Sequence, residues 1–134
     1  MRILAIDVGE KKIGLAVGDT TTGMAFTRPP ILVESWTEAW PKLLEAITAE
    51  TIEQVVVGWP INTDGTAGPQ TEQVQQFIDA LAMQVAIPIV RRDERNTSQA
   101  VQREQQQAGQ KLQRGQEDSL AAQLILESFL SEKR

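Results

Sequence analysis

An α/β fold on a mixed five-stranded sheet is what this 134-residue chain predicts, from three observations. Short apolar, β-branched runs of strand length alternate with longer stretches of helical period. The first three runs follow one another too closely for crossover helices, so they form an antiparallel meander. The later two are separated by helix-length segments, as parallel strands require. The resulting order is β-β-β-α-β-α-β-α-α.

Each element has its own signal. Arg2-Ile3-Leu4-Ala5-Ile6-Asp7 is an unbroken apolar run closed by a carboxylate, the pattern of a central strand buried on both faces. A turn through Gly9-Glu10-Lys11-Lys12 leads to Ile13–Val17, and a Thr-rich turn to a third strand around Met24–Val33. Pro29 and Pro30 mark that strand as interrupted or at an edge. Ser35-Trp36-Thr37-Glu38 has capping-box spacing, so a helix is expected over residues 37–50 with Pro41 in its first turn. Val55-Val56-Val57-Gly58 is the fourth strand, and Trp59–Pro69 is a loop rich in Gly, Pro, Asn and Asp. Helical spacing returns over residues 71–83, and Ile87–Arg92 is the fifth strand, delivering Asp93-Glu94-Arg95 at its end. Asn96-Thr97-Ser98 offers caps for a helix stopping at Gly109, within a stretch holding eight Gln between Gln99 and Gln116. The last helix is expected over residues 116–130. No repeat or linker divides the chain, so residues 1–134 read as a single domain.

Composition excludes much chemistry. With no Cys and no His there is no zinc finger, thiolate nucleophile or imidazole base, and an enzyme here works with carboxylates, Lys, Ser/Thr or a hard metal. The 41% apolar and 23% charged residues suit a folded globule. No leader, disulfide framework or run of about 18 apolar residues is present, so a soluble, cytoplasmic protein without membrane contact is expected.

Three carboxylates stand where ligands gather, at the carboxyl ends of strands or facing the sheet. Asp7 ends the central strand; its plainer role is to start the turn that follows. Glu94 projects opposite to Asp93 and Arg95, and its plainer role is an ion pair with Arg91, Arg92 or Arg95. Asp118 suits the helix dipole, yet it shares an inward stripe with Ala122, Ile125 and Phe129. If the three converge, they match Mg²⁺ or Mn²⁺, and two such ions ~4 Å apart can drive phosphodiester hydrolysis without any His.

Four blocks then carry a resemblance: Ala5–Val17, Val56–Pro69, Asp93–Ser98 and Asp118–Ala122. In this order, over essentially the whole chain, they resemble the signature blocks of the YqgF family, bacterial proteins also called RuvX or Holliday-junction-resolvase-like. The resemblance implies an RNase H-like fold, a metal-dependent nuclease activity and a part in maturing the 5′ end of pre-16S ribosomal RNA, with branched-DNA resolution as the older assignment. It places the acidic triad, catalytic and metal-holding, on Asp7, Glu94 and Asp118. In a two-metal mechanism Asp7 would bridge both ions and the other two acids would hold one each. Gly9, Lys12 and Gly14 match the family's first hairpin, Gly58, Pro60, Asn62, Gly65 and Pro69 its substrate-side loop, and Arg95 and Thr97 its fifth-strand motif. Lys12, Arg95, Lys111 and Arg114 are expected to contact substrate backbone, as are Gly9, Asn62, Gly65 and Thr97. Before Asp118 the chain is richer in Gln than the family usually is, and Trp59 stands where an aliphatic residue is more usual, open to base stacking or to a core role.

The acidic balance, net −5, argues against a nucleic-acid partner only on average. Residues 91–114 hold six basic and three acidic side chains, net +3, against −8 for the remainder. Structured RNA or branched DNA is therefore the expected partner, in ribosomal precursor particles if the RNA role holds, with the protein a monomer or dimer. The competing reading is a non-catalytic RNA-binding ribosome-assembly factor. Asp7-x-Gly9 also resembles the first phosphate loop of sugar-kinase and actin-type ATPases, which need two such domains.

Overall fold

The computed structural model describes residues 1–9, 11–60, 68–93 and 116–132, with the side chains of the last segment from Ser119 onward. Strands β1 (Arg2–Val8), β2 (Lys12–Asp19), β3 (Ala25–Leu32), β4 (Gln54–Trp59) and β5 (Ile89–Asp93) form one sheet in the order β3-β2-β1-β4-β5. β1–β2 and β2–β3 are antiparallel, while β1–β4 and β4–β5 are parallel. The predicted meander and two parallel strands are therefore present. Helices α1 (Ala39–Ala49), α2 (Pro69–Ala82) and α3 (Gln116–Glu132), with a 3₁₀ turn over Trp36–Glu38, complete the described elements. The helix expected after Ser98 lies outside the described residues.

Alternation along the strands divides the core in two. Leu4, Ile6 and Val8 of β1 join Val55 and Val57 of β4 under α1 and α2, whose Leu43 and Phe77 are fully buried. Trp36 meets the Phe77 ring edge-on at 5.6 Å between centroids, and Trp40 lies tilted against it at 5.0 Å. On the other face Ile3, Ala5, Ala16 and Val56 pack under Ala122, Ile125, Leu126 and Phe129 of α3. Small residues on that face let the helix come close. A Cβ on Gly18 would lie 2.6 Å from the Met24 carbonyl and 3.0 and 3.1 Å from Leu126 and Leu130.

Two local features of α1 depart from expectation, and one of β3 agrees with it. The Ser35–Glu38 capping box does not form: residues 36–38 make a 3₁₀ turn, and the Glu38 carboxylate accepts the N–H of Glu34 instead. The helix proper begins at Ala39, with Pro41 in its first turn as expected. That helix ends in a Schellman motif without glycine. Ile52 N–H donates to Ile47 and Thr51 N–H to Thr48, while Thr51 itself takes φ 55°. Finally, β3 runs through both prolines at the sheet edge. Ile13 pairs with Ile31 and Leu15 with Arg28, so Gly14 faces two residues, Pro29 and Pro30, in a bulge.

Candidate active site

Asp7 lies on the α3 face of the sheet, continuing the alternation of Ile3 and Ala5. Its neighbours on that face are glycines: Gly14 is its partner on β2, and Gly58 stands one step beyond the Ile6–Val57 pair on β4. No side chain therefore rises on either flank of the carboxylate. Asp7 is half-buried, and among the described residues no hydrogen bond or ion pair engages its side chain. It does not start the following turn. That turn is closed by the Gly9 N–H donating to the Lys12 carbonyl at 2.8 Å. The approach is so close that a Cβ on Gly9 would come within 2.7 Å of the same oxygen, which is why glycine stands there. A half-buried carboxylate without donors is costly alone and fits a hard cation's oxygen-ligand chemistry.

The first turn of α3 is fixed beside this position by Ser119. Its buried hydroxyl accepts the Leu15 N–H at 3.2 Å and donates to the Arg28 carbonyl at 2.6 Å. Leu15 and Arg28 are register partners, so the hydroxyl bridges two strands beside the bulge. Gln123 continues the docking one turn later by donating to the Ala25 carbonyl at 3.2 Å. Asp118 precedes the anchored serine in this turn, and its expected stripe partners Ala122, Ile125 and Phe129 are buried. Ser119 was not among the expected site residues. The signal for it was a hydroxyl next to Asp118 at the head of the buried stripe.

Glu94, Arg95, Thr97, Asn62, Gly65, Lys111 and Arg114 lie outside the described residues, as does the Asp118 side chain. The ends of the loop carrying Asn62 and Gly65 are described. Buried Thr71 accepts the Gly68 N–H at 3.1 Å and donates to the Pro60 carbonyl, tying both ends of the loop together. Lys12 opens β2 at the same edge and is exposed. Among the described residues no three acidic side chains gather.

Two basic residues of the 91–114 segment, Arg91 and Arg92, are among the described residues. Arg91 lies on the α2 face, its guanidinium 4.5 Å above the Trp59 ring and bonded to Gln75. Arg92 reaches toward the far end of α3, to Ser128 at 2.7 Å and Glu132 at 2.5 Å. Neither faces Asp7. Trp59 is partly buried against the core and is capped by Arg91, which favours the core role over base stacking. Among the described residues no helix is long and apolar enough to cross a membrane.

The family model described as RuvX, Holliday junction resolvase, matches residues 1–132. A Syntrophus aciditrophicus (strain SB) protein named "Putative pre-16S rRNA nuclease" is 35% identical over 132 residues, covering 97% of this chain and 88% of that protein. A protein of the same name from Caldanaerobacter subterraneus subsp. tengcongensis is 36% identical, covering 100% of this chain and 99% of that protein. Among solved structures, Thermus thermophilus RuvC in complex with a Holliday junction substrate superposes with a TM-score of 0.61 at 16% identity, covering 99% of this chain and 96% of that one. Fowlpox virus resolvase in complex with Holliday junction DNA gives 0.56, also at 16% identity, covering 99% of each chain. At that identity the solved structures speak for the fold, which is RNase H-like. The chain belongs to the RuvX family of Holliday junction resolvases.

Proposed function

We propose that this protein is a divalent-metal-dependent nuclease for structured nucleic acid, acting in 5′-end processing of pre-16S ribosomal RNA, with residues 1–134 forming one nuclease domain. The observation that carries the proposal is the setting of Asp7. It is a half-buried carboxylate without a hydrogen-bond donor among the described residues, flanked by two glycines, with the anchored first turn of α3 one strand over, ~5 Å across the sheet. The relatives sharing about a third of their sequence carry the ribosomal name, whereas the solved structures with junction DNA share 16%. Sequence proximity therefore favours RNA over branched DNA.

In this reading Asp7, Glu94 and Asp118 hold Mg²⁺ or Mn²⁺. β5 ends at the same sheet edge, with Val90 and Arg92 on the α3 face. Bound metal would supply Lewis-acid stabilisation of the charge that builds on the phosphodiester oxygens, and would make water a better nucleophile. The chain's own residues do the remaining work. Glycines at positions 9, 14 and 58 leave room for a strand to approach the sheet edge, and Lys12, with Arg95, Lys111 and Arg114, offers charge to the backbone phosphates. Asn62, Gly65 and Thr97 would hydrogen-bond the same phosphates. The expected location is the cytoplasm, among ribosomal precursor particles.

Asp7→Asn tests this directly. The variant keeps the shape of the side chain and removes its charge. It is expected to lose at least a hundredfold of Mn²⁺-dependent cleavage of a structured RNA while its circular dichroism is unchanged. Undiminished cleavage would overturn the assignment. RNA binding without cleavage by the wild type under any divalent ion would favour a non-catalytic assembly factor.

A further inference from the structure

A second feature sits at the same sheet edge, on the face opposite Asp7. A cleft of about 380 Å³ opens between the β1–β2 turn and the start of α2, lined by Gly9, Trp36, Pro69, Gln70, Gln73 and Val74. None of its described lining residues is charged, so none of them suits a phosphate or a metal ion. It is instead mixed in character, with an indole and aliphatic surface on one side and primary amides on the other.

Trp36 is held in place. Its indole N–H donates to the Gly9 carbonyl at 3.2 Å, and its ring meets Phe77 edge-on, so the side chain is ordered before anything binds. Gln70 and Gln73 stand three residues apart on the exposed side of the first turn of α2, and among the described residues neither amide makes a hydrogen bond. Each presents donors and an acceptor side by side, the pairing that the edge of a nucleobase offers in return. A flat, uncharged, hydrogen-bonding ligand fits this lining. Val8 and Gly9 join the cleft directly to Asp7 along β1, so a strand crossing the edge there would pass both.

We infer that this cleft receives one unpaired RNA base next to the scissile position, set against Trp36 and read along its edge by Gln70 and Gln73. The inference rests on the nuclease reading and adds a specificity element to it. An unpaired base is required because pairing occupies the Watson–Crick edge and stacking in a helix occupies both faces. Selection would therefore fall on a single-stranded flank beside a helix rather than on a continuous duplex.

The probe is a hairpin RNA with a single-stranded 5′ flank, scanned with one abasic position at a time. Binding is measured in Ca²⁺ for the wild type and for the Gln70→Ala/Gln73→Ala double variant, whose exposed positions leave the fold intact. The expected result is one flank position at which base removal weakens wild-type binding about tenfold and barely affects the double variant, whose own loss is similar. Base removal and double substitution that act additively at every position, or no position that matters, would overturn the inference. Cleavage of the same RNA in Mn²⁺ separates the two claims. Cleavage without coupling sinks the cleft and leaves the nuclease, whereas coupling without cleavage does the reverse.

Discussion

Replacing Ser119 by Ala removes one hydroxyl and deprives two backbone groups of their partner. The Leu15 N–H and the Arg28 carbonyl both face this hydroxyl, and Ser119 is fully buried, so water does not replace it directly. A buried unsatisfied backbone group costs ~1–3 kcal/mol, so two would cost about 2–6 kcal/mol. Because Leu15 and Arg28 are register partners, part of the loss returns if they close a direct ladder bond, and we expect about 2–3 kcal/mol. Urea unfolding monitored by circular dichroism measures this as a midpoint lowered by roughly 1–2 M at unchanged slope. Since the serine fixes the turn that carries Asp118, Mn²⁺ affinity should fall as well. A stability loss under about 0.5 kcal/mol, within the range of ordinary surface changes, would refute the reasoning that this hydroxyl anchors α3.

Other positions give independent tests. Thr51 is a β-branched residue at φ 55° in a position that glycine usually fills, so Thr51→Gly should raise stability by roughly 0.5–1 kcal/mol in the same unfolding assay. Gly18→Ala places a methyl 2.6 Å from the Met24 carbonyl and against two α3 leucines. It should cost roughly 1–3 kcal/mol, read as a lower thermal midpoint. The Thr21 backbone N–H, donating to Asp19, holds that carboxyl below its ordinary 3.8, helped by the Thr21 hydroxyl and the N-terminal ammonium and opposed by slight desolvation. A depressed carboxyl contributes stability above the unfolded value and loses it as pH falls through the folded one, so Asp19→Asn should flatten the decline in midpoint below about pH 4.

Much of the fold was legible because burial leaves a plain record in composition. β1 and β4 are buried on both faces and read as unbroken apolar runs, and the paired prolines of β3 correctly marked a sheet edge. The start of α1 was misread because Ser35 and Glu38 have capping-box spacing, yet a 3₁₀ turn intervenes and turns the Glu38 carboxylate to Glu34. The end of α1 carried no glycine to announce its left-handed residue. At the site, Asp7 was visible as a carboxylate closing a buried strand. The roles of Gly14 and Gly58 depend on register across three strands, which local sequence does not encode. Ser119 was hidden for the same reason, since its partners lie 104 and 91 residues away. The charge count over residues 91–114 was sound as a sum, but it could not reveal that Arg91 and Arg92 turn away from Asp7.

The central claim is that Asp7, Glu94 and Asp118 converge on divalent metal. A crystal structure of the protein soaked in Mn²⁺, with anomalous scattering recorded, tests it most directly. The account predicts manganese within coordination distance, ~2.0–2.3 Å, of carboxylate oxygens from all three residues on the α3 face of the sheet. Carboxylates pointing apart, with no manganese at Asp7, would contradict it.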